Sequence, residues 1–174
     1  MILLPAKREG EGVKVSTRAH YGLRAMTELA RMHGQGLLSL SEISRTEGLP
    51  LAYLEQLIGE LRRAGLVEGV RGLHGGYRLT RAPSQIAVGE VYRVLEGPIA
   101  PVECTAEDYL PMSCDRESGC FSRGLWERVR DSITSVLDAT TLEDLSREGY
   151  ARAEAGLITI QSITGAKAAG QEGC

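Results

Sequence analysis

The arrangement of apolar residues between Ser16 and Leu79 limits the folds open to this chain more than any other feature. Apolar side chains recur at helical spacing from Ser16, a capping box at Ser39 and Glu42 starts a second helix, and a third helical stripe follows Pro50. Two short strand-like runs then flank a glycine-rich connection. Helix, capped helix, turn, helix and hairpin in this order predict a winged helix-turn-helix.

Length and composition add limits on compartment and chemistry. A chain of 174 residues with 43% apolar content can form one modest core and an arm. It has no apolar run of membrane-spanning length, and its start at residues 1–5 is too short for a signal peptide, so we expect a cytoplasmic protein. In that reducing compartment, four cysteines are better read as ligands or reactive groups than as a disulfide framework.

The pattern divides the chain into four parts. We predict a flexible leader over 1–12, the winged helix-turn-helix over 13–82, a loop and dimerisation helix over 83–148, and a flexible tail over 149–174. The fold class is therefore mostly α with a small β-hairpin. The long helix has an apolar stripe without a partner of its own, so we expect it to pack on the same helix of a second subunit; the stripe comprises Leu125, Trp126, Val129, Ile133, Val136 and Leu137.

Charge is distributed unevenly, which bears on nucleic acid. The net charge is −3, but residues 1–80 carry three more basic than acidic side chains. In the third helix the apolar stripe leaves several polar side chains outside, and Gln and Glu can read adenine and cytosine. The residues predicted to bind DNA are Tyr53, Glu55, Gln56, Arg62 and, at the wing tip, Arg71. The alternatives are a solvated helix face and an ordinary surface arginine.

Three cysteines, Cys104, Cys114 and Cys120, lie in one short segment rich in proline, glycine and acidic residues. Thiolates are soft ligands that suit iron-sulfur clusters and zinc. Small buried hydrophobic residues are the third interpretation, although this segment offers little apolar core. The spacing alone does not decide between a cluster and zinc. Cys174, at the end of the chain, is expected to be a free surface thiol.

Motifs for catalysis are absent from the sequence. There is no glycine-rich phosphate loop, no nucleophile elbow and no His-Glu metal motif. We therefore predict that the protein is not an enzyme.

Several separate motifs resemble the IscR/NsrR family of iron-sulfur transcription regulators, in the right order and over roughly residues 13–148. The similar stretches are 15–26, 53–57, 65–67, 70–77 and 87–91. The resemblance implies a homodimeric winged-helix repressor or activator that binds a double-stranded DNA operator. It also implies that the cysteine loop holds a [2Fe-2S] or [4Fe-4S] cluster, with [2Fe-2S] favoured, which senses cluster supply, nitric oxide or redox state.

The resemblance also assigns individual residues. Those on cluster-ligand positions are Cys104, Cys114 and Cys120, and those on DNA-reading positions are Tyr53, Glu55, Gln56 and Arg71. The histidine ligand of the IscR branch is replaced here by Arg123. The aspartate ligand of the NsrR branch is replaced by His20, and histidine can bind iron through a neutral ring nitrogen. The alternative function is a cluster-free or zinc-bound regulator that responds to thiol state or to a partner protein.

Overall fold

The computed structural model describes residues 16–72, 75–106, 108–110, 114, 119–147 and 149. The predicted leader over 1–12 and the predicted tail, apart from residue 149, lie outside the described residues. The fold is mostly helical with one two-stranded antiparallel hairpin, as predicted. The elements that lie wholly within these described residues are α1 (Thr17–Arg31), α2 (Leu40–Glu47), α3 (Leu51–Arg63), β1 (Val67–Val70), β2 (Gly76–Leu79), α4 (Val88–Glu96), α5 (Arg123–Ala139) and two 3-10 turns (Pro83–Gln85 and Glu103–Thr105).

The start of α2 confirms the predicted capping box. The Ser39 hydroxyl accepts a hydrogen bond from the Glu42 backbone N–H at 3.2 Å, and the Glu42 carboxylate accepts one from the Ser39 N–H at 2.9 Å. Two backbone donors that a helix start leaves unsatisfied are thereby paired. The hydrogen bonds from Ser39 also lower the pKa of the Glu42 carboxyl. This short helix is fixed by its cap as much as by its single buried residue, Ile43.

The third helix, α3, follows Pro50, which occupies the N-cap position with extended backbone. The helix ends at Arg63, because Ala64 caps it and Gly65 adopts a left-handed φ of 76° that favours glycine. Its buried face consists of the predicted apolar stripe Leu54, Leu57, Ile58 and Leu61.

The hairpin follows directly and completes the winged-helix unit, by which we mean residues 16–80. Val67 pairs with Leu79 and Val70 with Gly76, and the register is antiparallel. Val67 and Leu79 are buried, so the base of the hairpin is part of the core while its tip projects. A further bridge joins Leu38 to Tyr77, which attaches the hairpin to the segment between α1 and α2.

One hydrophobic core joins the winged-helix unit to α4. Buried side chains from α1, α2, α3 and the hairpin meet Val91 and Leu95 of α4 in a single cluster. Leu142, which follows α5, is also completely buried in this cluster. The chain therefore leaves the core after α4 and returns to it after α5.

Helix α5 lies against this body without burying any of its own residues. It is tied to α4 by two hydrogen bonds between the Arg93 guanidinium and the Asp138 carboxylate, at 2.7 and 2.9 Å. The contact is so close that a β-carbon at Gly89 would lie 1.9 Å from an oxygen of Asp138. Within the part of the chain that the structure describes, no helix has the length and apolarity needed to cross a membrane.

The chain is helical again over residues 142–147, after the turn that follows α5. The spacing of Thr140 and Glu143 predicts a capping box at the start of this helix, but the cap is formed by Thr141 and Asp144. The carbonyl of Thr140 instead accepts a backbone hydrogen bond from Val88 at 2.8 Å. Pairing with a distant segment thus moves the helix start by one residue.

Candidate nucleic-acid interface and cysteine site

The face of α3 that points away from the core carries three of the predicted DNA-binding side chains. Glu55, Gln56 and Arg62 are exposed, and the buried residues of α3 lie on the other side of the helix. Glu55 and Arg62 are two turns apart and lie nearly above one another, with Gln56 beside them. This face combines groups suited to base edges with a cation suited to phosphate or guanine.

Tyr53 lies on the flank of α3 that turns towards α1. Its side chain is partly buried against the core, and its ring meets Tyr21 edge-on with centroids 6.1 Å apart and planes at 80°. Such an edge-to-face contact holds a ring in place. Tyr53 therefore packs between two helices, in contrast to the three exposed residues on the predicted face.

Arg63 extends the exposed face of α3, although it is not among the residues that the sequence predicts to bind DNA. It is exposed and lies seven residues after Gln56, so the two share a face. That spacing was the signal that could have found it. Arg62 and Arg63 also stand in the last helical turn, where cations stabilise a helix end.

The second acid of α3, Glu60, is engaged by a neighbouring helix. The Arg18 guanidinium of α1 forms an ion pair with the Glu60 carboxylate, and this hydrogen bond is the main cause that raises the pKa of Arg18 above its ordinary value. The charge of Glu60 is consequently paired with that of Arg18 within the protein. The pair reduces repulsion between α3 and a polyanion such as DNA.

The wing presents Arg71 at the end of β1. Arg71 is exposed, and Gly72 next to it adopts a φ of 131° that favours glycine. Along the strands, Arg78 pairs with Glu68 at 2.6 Å across the hairpin. Arg71 stands where the tip begins, as a wing residue that enters a groove would, while the next two positions, 73 and 74, lie outside the described residues.

The first cysteine lies in a turn between α4 and α5, within what we call the cysteine segment, residues 97–122. Cys104 is half-buried in the 3-10 turn Glu103–Thr105. The buried Thr105 anchors this turn, because its carbonyl accepts a hydrogen bond from Arg130 of α5 at 2.9 Å. The turn that contains Cys104 is thus attached to α5 by this hydrogen bond.

Cys104 and Cys114 line the same cavity, which has a volume of about 740 Å³ and walls that include Pro98, Val102 and Tyr109. Cys114 is exposed and Cys104 half-buried, so both thiols are open to ligands or reagents. A thiol in such a position reacts according to its pKa and access. Two of the three predicted ligands therefore share one open, partly apolar site.

Cys120 lies at the other end of the segment, just before α5. Its sulfur is 3.4 Å from the Ser122 hydroxyl, and this contact is the main cause that lowers the pKa of the Cys120 thiol. A lower pKa favours the thiolate, which is the form that binds metals. Cys120 does not contribute to the described lining of the cavity that holds the other two thiols.

The three thiols are not gathered into a preformed site. Among the described residues, no three Cys, His, Asp or Glu side chains lie close enough together to hold a metal ion. The donor set itself suits an iron-sulfur cluster or zinc, because all three thiols are free, half-buried or exposed, and one has a lowered pKa. The residues fit such a group by their chemistry, and ligation would have to bring them together.

His20 lies in a different place from the cysteines. It is exposed on α1 and lines a second cavity, of about 330 Å³, with Arg24, Glu47 and Leu145. Its ring lies next to that of Tyr21, with centroids 5.8 Å apart. Neither Cys104 nor Cys114 is in the described lining of this cavity, so His20 does not join them within one subunit.

Comparison with known proteins places these features in a family. The model of the Rrf2 family, described as an iron-dependent transcriptional regulator, matches residues 15–148. The HTH-type transcriptional regulator CymR of Bacillus subtilis is 47% identical over 148 residues, which cover 85% of this chain and all of that protein.

Solved structures show the same similarity. The structure of CymR, the global cysteine regulator of B. subtilis, has a TM-score of 0.65 at 46% identity, covering 79% of this chain and 98% of its own. T. potens IscR has a TM-score of 0.65 at 43% identity, covering 79% and 89%. The oxidized form of Staphylococcus aureus CymR has a TM-score of 0.60 at 41% identity, covering 76% and 95%.

Proposed function

Since the chain belongs to the Rrf2 family of DNA-binding transcription regulators, we propose that it is a homodimeric regulator that senses the state of an iron-sulfur cluster. Members of this family are regulators and not enzymes. In our proposal the cluster is held by Cys104, Cys114 and Cys120, and its loss or modification by oxidants or nitric oxide alters binding to a DNA operator. The observation that carries this proposal is the pair of free thiols, Cys104 and Cys114, that line one open cavity beside the winged-helix unit.

DNA binding is assigned to α3 and the wing. The exposed Glu55, Gln56 and Arg62 would enter the major groove, and Arg71 would reach the adjacent minor groove. Tyr53 would contribute through its packing on α1 or at the edge of the groove. A transcription regulator must reach the chromosomal DNA, and free thiols persist in a reducing compartment. We therefore propose that the protein is cytoplasmic.

Dimerisation is assigned to α5. The helix has no buried residue, and its apolar side chains Leu125, Trp126, Ile133 and Val136 are between 36% and 65% exposed. Burial of this surface against a second copy is favourable because it removes apolar area from water. A two-fold dimer would also present two copies of α3 to the two half-sites of an operator.

The bound cluster would supply a group whose oxidation state and integrity respond to oxygen and nitric oxide. The three thiols would be its ligands, and His20 of the partner subunit is the proposed fourth ligand. His20 lies apart from the cysteines of its own subunit, which supports a role across the dimer. We propose [2Fe-2S] as the cluster, with [4Fe-4S] as the other form that this ligand set can hold.

The second candidate is a cluster-free or zinc-bound regulator that responds to thiol state or to a partner protein. Two observations favour it. The chain is similar to CymR, described as the global cysteine regulator of B. subtilis, and to S. aureus CymR in an oxidized form. The described thiols are also separate and accessible, as a thiol-based sensor requires.

Anaerobic purification separates the two candidates. We expect wild-type protein to contain iron and acid-labile sulfide and to absorb visible light. Cys174→Ser serves as the matched control and should keep all three properties, whereas Cys114→Ser should lose them and lose regulation. Mössbauer spectra would then give the nuclearity of the cluster.

Two results would contradict cluster sensing. A colourless protein that contains zinc would support the second candidate. Protein without iron and sulfide that regulates normally, and whose regulation survives Cys114→Ser, would exclude both metal-dependent versions.

A further inference from the structure

The side chain of Arg18 joins three helices at one point. From α1, its Nε donates a hydrogen bond to the backbone carbonyl of Leu95 at 2.5 Å, while its Nη2 donates to the Glu60 carboxylate of α3. A guanidinium is planar and offers several donors in fixed directions, so it can hold two acceptors at once. Arg18 therefore links the DNA-reading helix to the last turn of α4.

The last turn of α4 is itself fixed against the start of α1. The Glu96 carboxylate accepts hydrogen bonds from the Ser16 hydroxyl at 2.6 Å and from the Ala19 backbone N–H at 3.1 Å. A β-carbon at Gly22 would lie 2.1 Å from Cδ1 of Leu95, so a larger residue at this position would displace the Leu95 side chain. Because these contacts are closely packed, a displacement of residues 95–96 also displaces the start of α1.

The cysteine segment begins at the next residue. Gly97 follows Glu96 with a left-handed φ of 85°, and Pro98 already lines the cavity that contains Cys104 and Cys114. The separate thiols have to move together to bind one ligand, and residues 95–96 are the point at which the segment is attached to the winged-helix unit. A rearrangement that extends to the start of the segment therefore displaces residues 95–96, which Arg18 contacts.

We propose that Arg18 is the positioning residue that couples the state of the cysteine segment to α3, through its hydrogen bonds to Leu95 and Glu60. This rests on the proposed sensory role of the segment. When ligation or modification of the thiols shifts residues 95–96, Arg18 shifts with them and changes the position of α3 through Glu60. Two sites coupled by a shared element influence each other by a measurable factor.

Arg81 provides a matched control at the opposite end of α4. Its guanidinium also bonds one carboxylate and one backbone carbonyl, those of Glu90 at 2.8 Å and Gln85 at 3.2 Å. It thus resembles Arg18 in its bonding, although its side chain is somewhat more exposed, at 42% against 33%. These bonds do not connect it to α3 or to the cysteine segment. Loss of Arg81 removes a comparable interaction without cutting the proposed connection.

The experiment measures coupling as a ratio of two dissociation constants. A duplex of about 30 base pairs, long enough for two half-sites, is first selected from random sequence by the wild-type protein. The Kd for this duplex is then measured for anaerobically isolated protein and for protein whose thiols have been alkylated with iodoacetamide after chelator treatment. All proteins carry Cys174→Ser, so that only the thiols of the cysteine segment are modified.

For wild-type protein we expect the two constants to differ by about fivefold or more, the lower range of typical allosteric coupling. Arg18→Met and Glu60→Met should each reduce the ratio to within about twofold, because the first removes the donor and the second the acceptor of the link to α3. Arg81→Met should keep the wild-type ratio, and Arg18→Lys, which can hold only one acceptor well, should fall between. Melting temperatures identify variants that no longer fold, and Glu60→Met decides the question if Arg18→Met is one of them.

Each contrary outcome has its own meaning. A wild-type ratio of one overturns the sensory role of the segment, and the coupling with it. A clear wild-type ratio that Arg18→Met and Glu60→Met both retain overturns the role of Arg18 alone. A ratio lost equally in Arg81→Met also overturns it, because any weakened contact of α4 would then suffice.

Discussion

The winged-helix unit and α5 have similar sequence patterns but different structural outcomes. Both show strong apolar stripes at helical spacing, yet α1 and α3 bury their stripes in a shared core whereas α5 buries no residue. In the winged-helix unit, stripes from several elements face one another within one chain. An apolar stripe therefore predicts that a helix packs against another apolar surface, but it does not show whether that surface belongs to the same chain or to a second molecule.

The largest expected effect is the loss of stability when a buried residue of the winged-helix unit is truncated. Leu57 is completely buried, so Leu57→Ala should reduce the free energy of unfolding by about 2 to 5 kcal/mol through lost burial and a cavity. Leu125→Ala, on the half-exposed stripe of α5, should cost less than about 1 kcal/mol at concentrations where monomer predominates. Urea denaturation followed by circular dichroism measures both, and equal costs would remove the distinction.

The next effect tests whether a second copy covers α5. Ile133→Asp should weaken self-association by about 2 to 3 kcal/mol, because a carboxylate would be buried without a partner. Ser132→Asp, at the neighbouring exposed polar position, should leave association nearly unchanged. Sedimentation equilibrium gives the dimerisation constant for each variant. Dimers of undiminished stability in Ile133→Asp would assign the interface to another surface.

A third prediction concerns Arg71, which is exposed at the start of the wing tip, whereas the base of the hairpin is part of the core. Arg71→Ala should weaken binding to a selected duplex by about 1 to 3 kcal/mol, and binding to random duplex by less. Arg78→Ala, which removes a residue already paired with Glu68, should have the smaller effect on selectivity. Fluorescence anisotropy at fixed salt provides these values. An equal loss on both duplexes would show a phosphate contact instead of groove reading.

The smallest effect concerns the tie between α4 and α5. Hydrogen bonding to Arg93 lowers the pKa of Asp138 below its ordinary 3.8, so the pair stabilises the fold above that pH. This stabilisation is lost as the pH falls through the lowered pKa. Asp138→Asn should therefore cost less than about 1 kcal/mol at neutral pH, since the pair is partly exposed, and its cost should diminish near about pH 3. Urea titrations at both pH values measure this, and a cost that does not change with pH would assign the contact to shape alone.

The sequence predicted features that depend on neighbours along the chain. The capping box at Ser39 and Glu42 and the exposed face with Glu55 and Gln56 both follow from spacing within one helix. The start of the helix after α5 was placed one residue early, because a backbone bond between Val88 and a distant carbonyl decides it. Such a long-range pair leaves no local signal.

The candidate ligands of the site could also be predicted from the sequence, but the contacts between distant residues could not. Residue types identified the thiols as candidate ligands, and the structure places Cys104 and Cys114 at one cavity. The ion pair between Arg18 and Glu60 joins positions 42 apart in the chain, and no pattern in the sequence links them. Packing of α1 on both α3 and α4 creates it.

The return of Leu142 to the core has a consequence for how this protein varies. Glu96 and Leu142 are both fixed to one body, so the stretch between them behaves as an insertion with anchored ends. The irregular part of such an insertion can change in length at little cost, because loop-closure entropy grows only with the logarithm of length. A segment with different ligands can therefore be grafted between these two anchors, provided that it keeps the helix that brings Asp138 to Arg93.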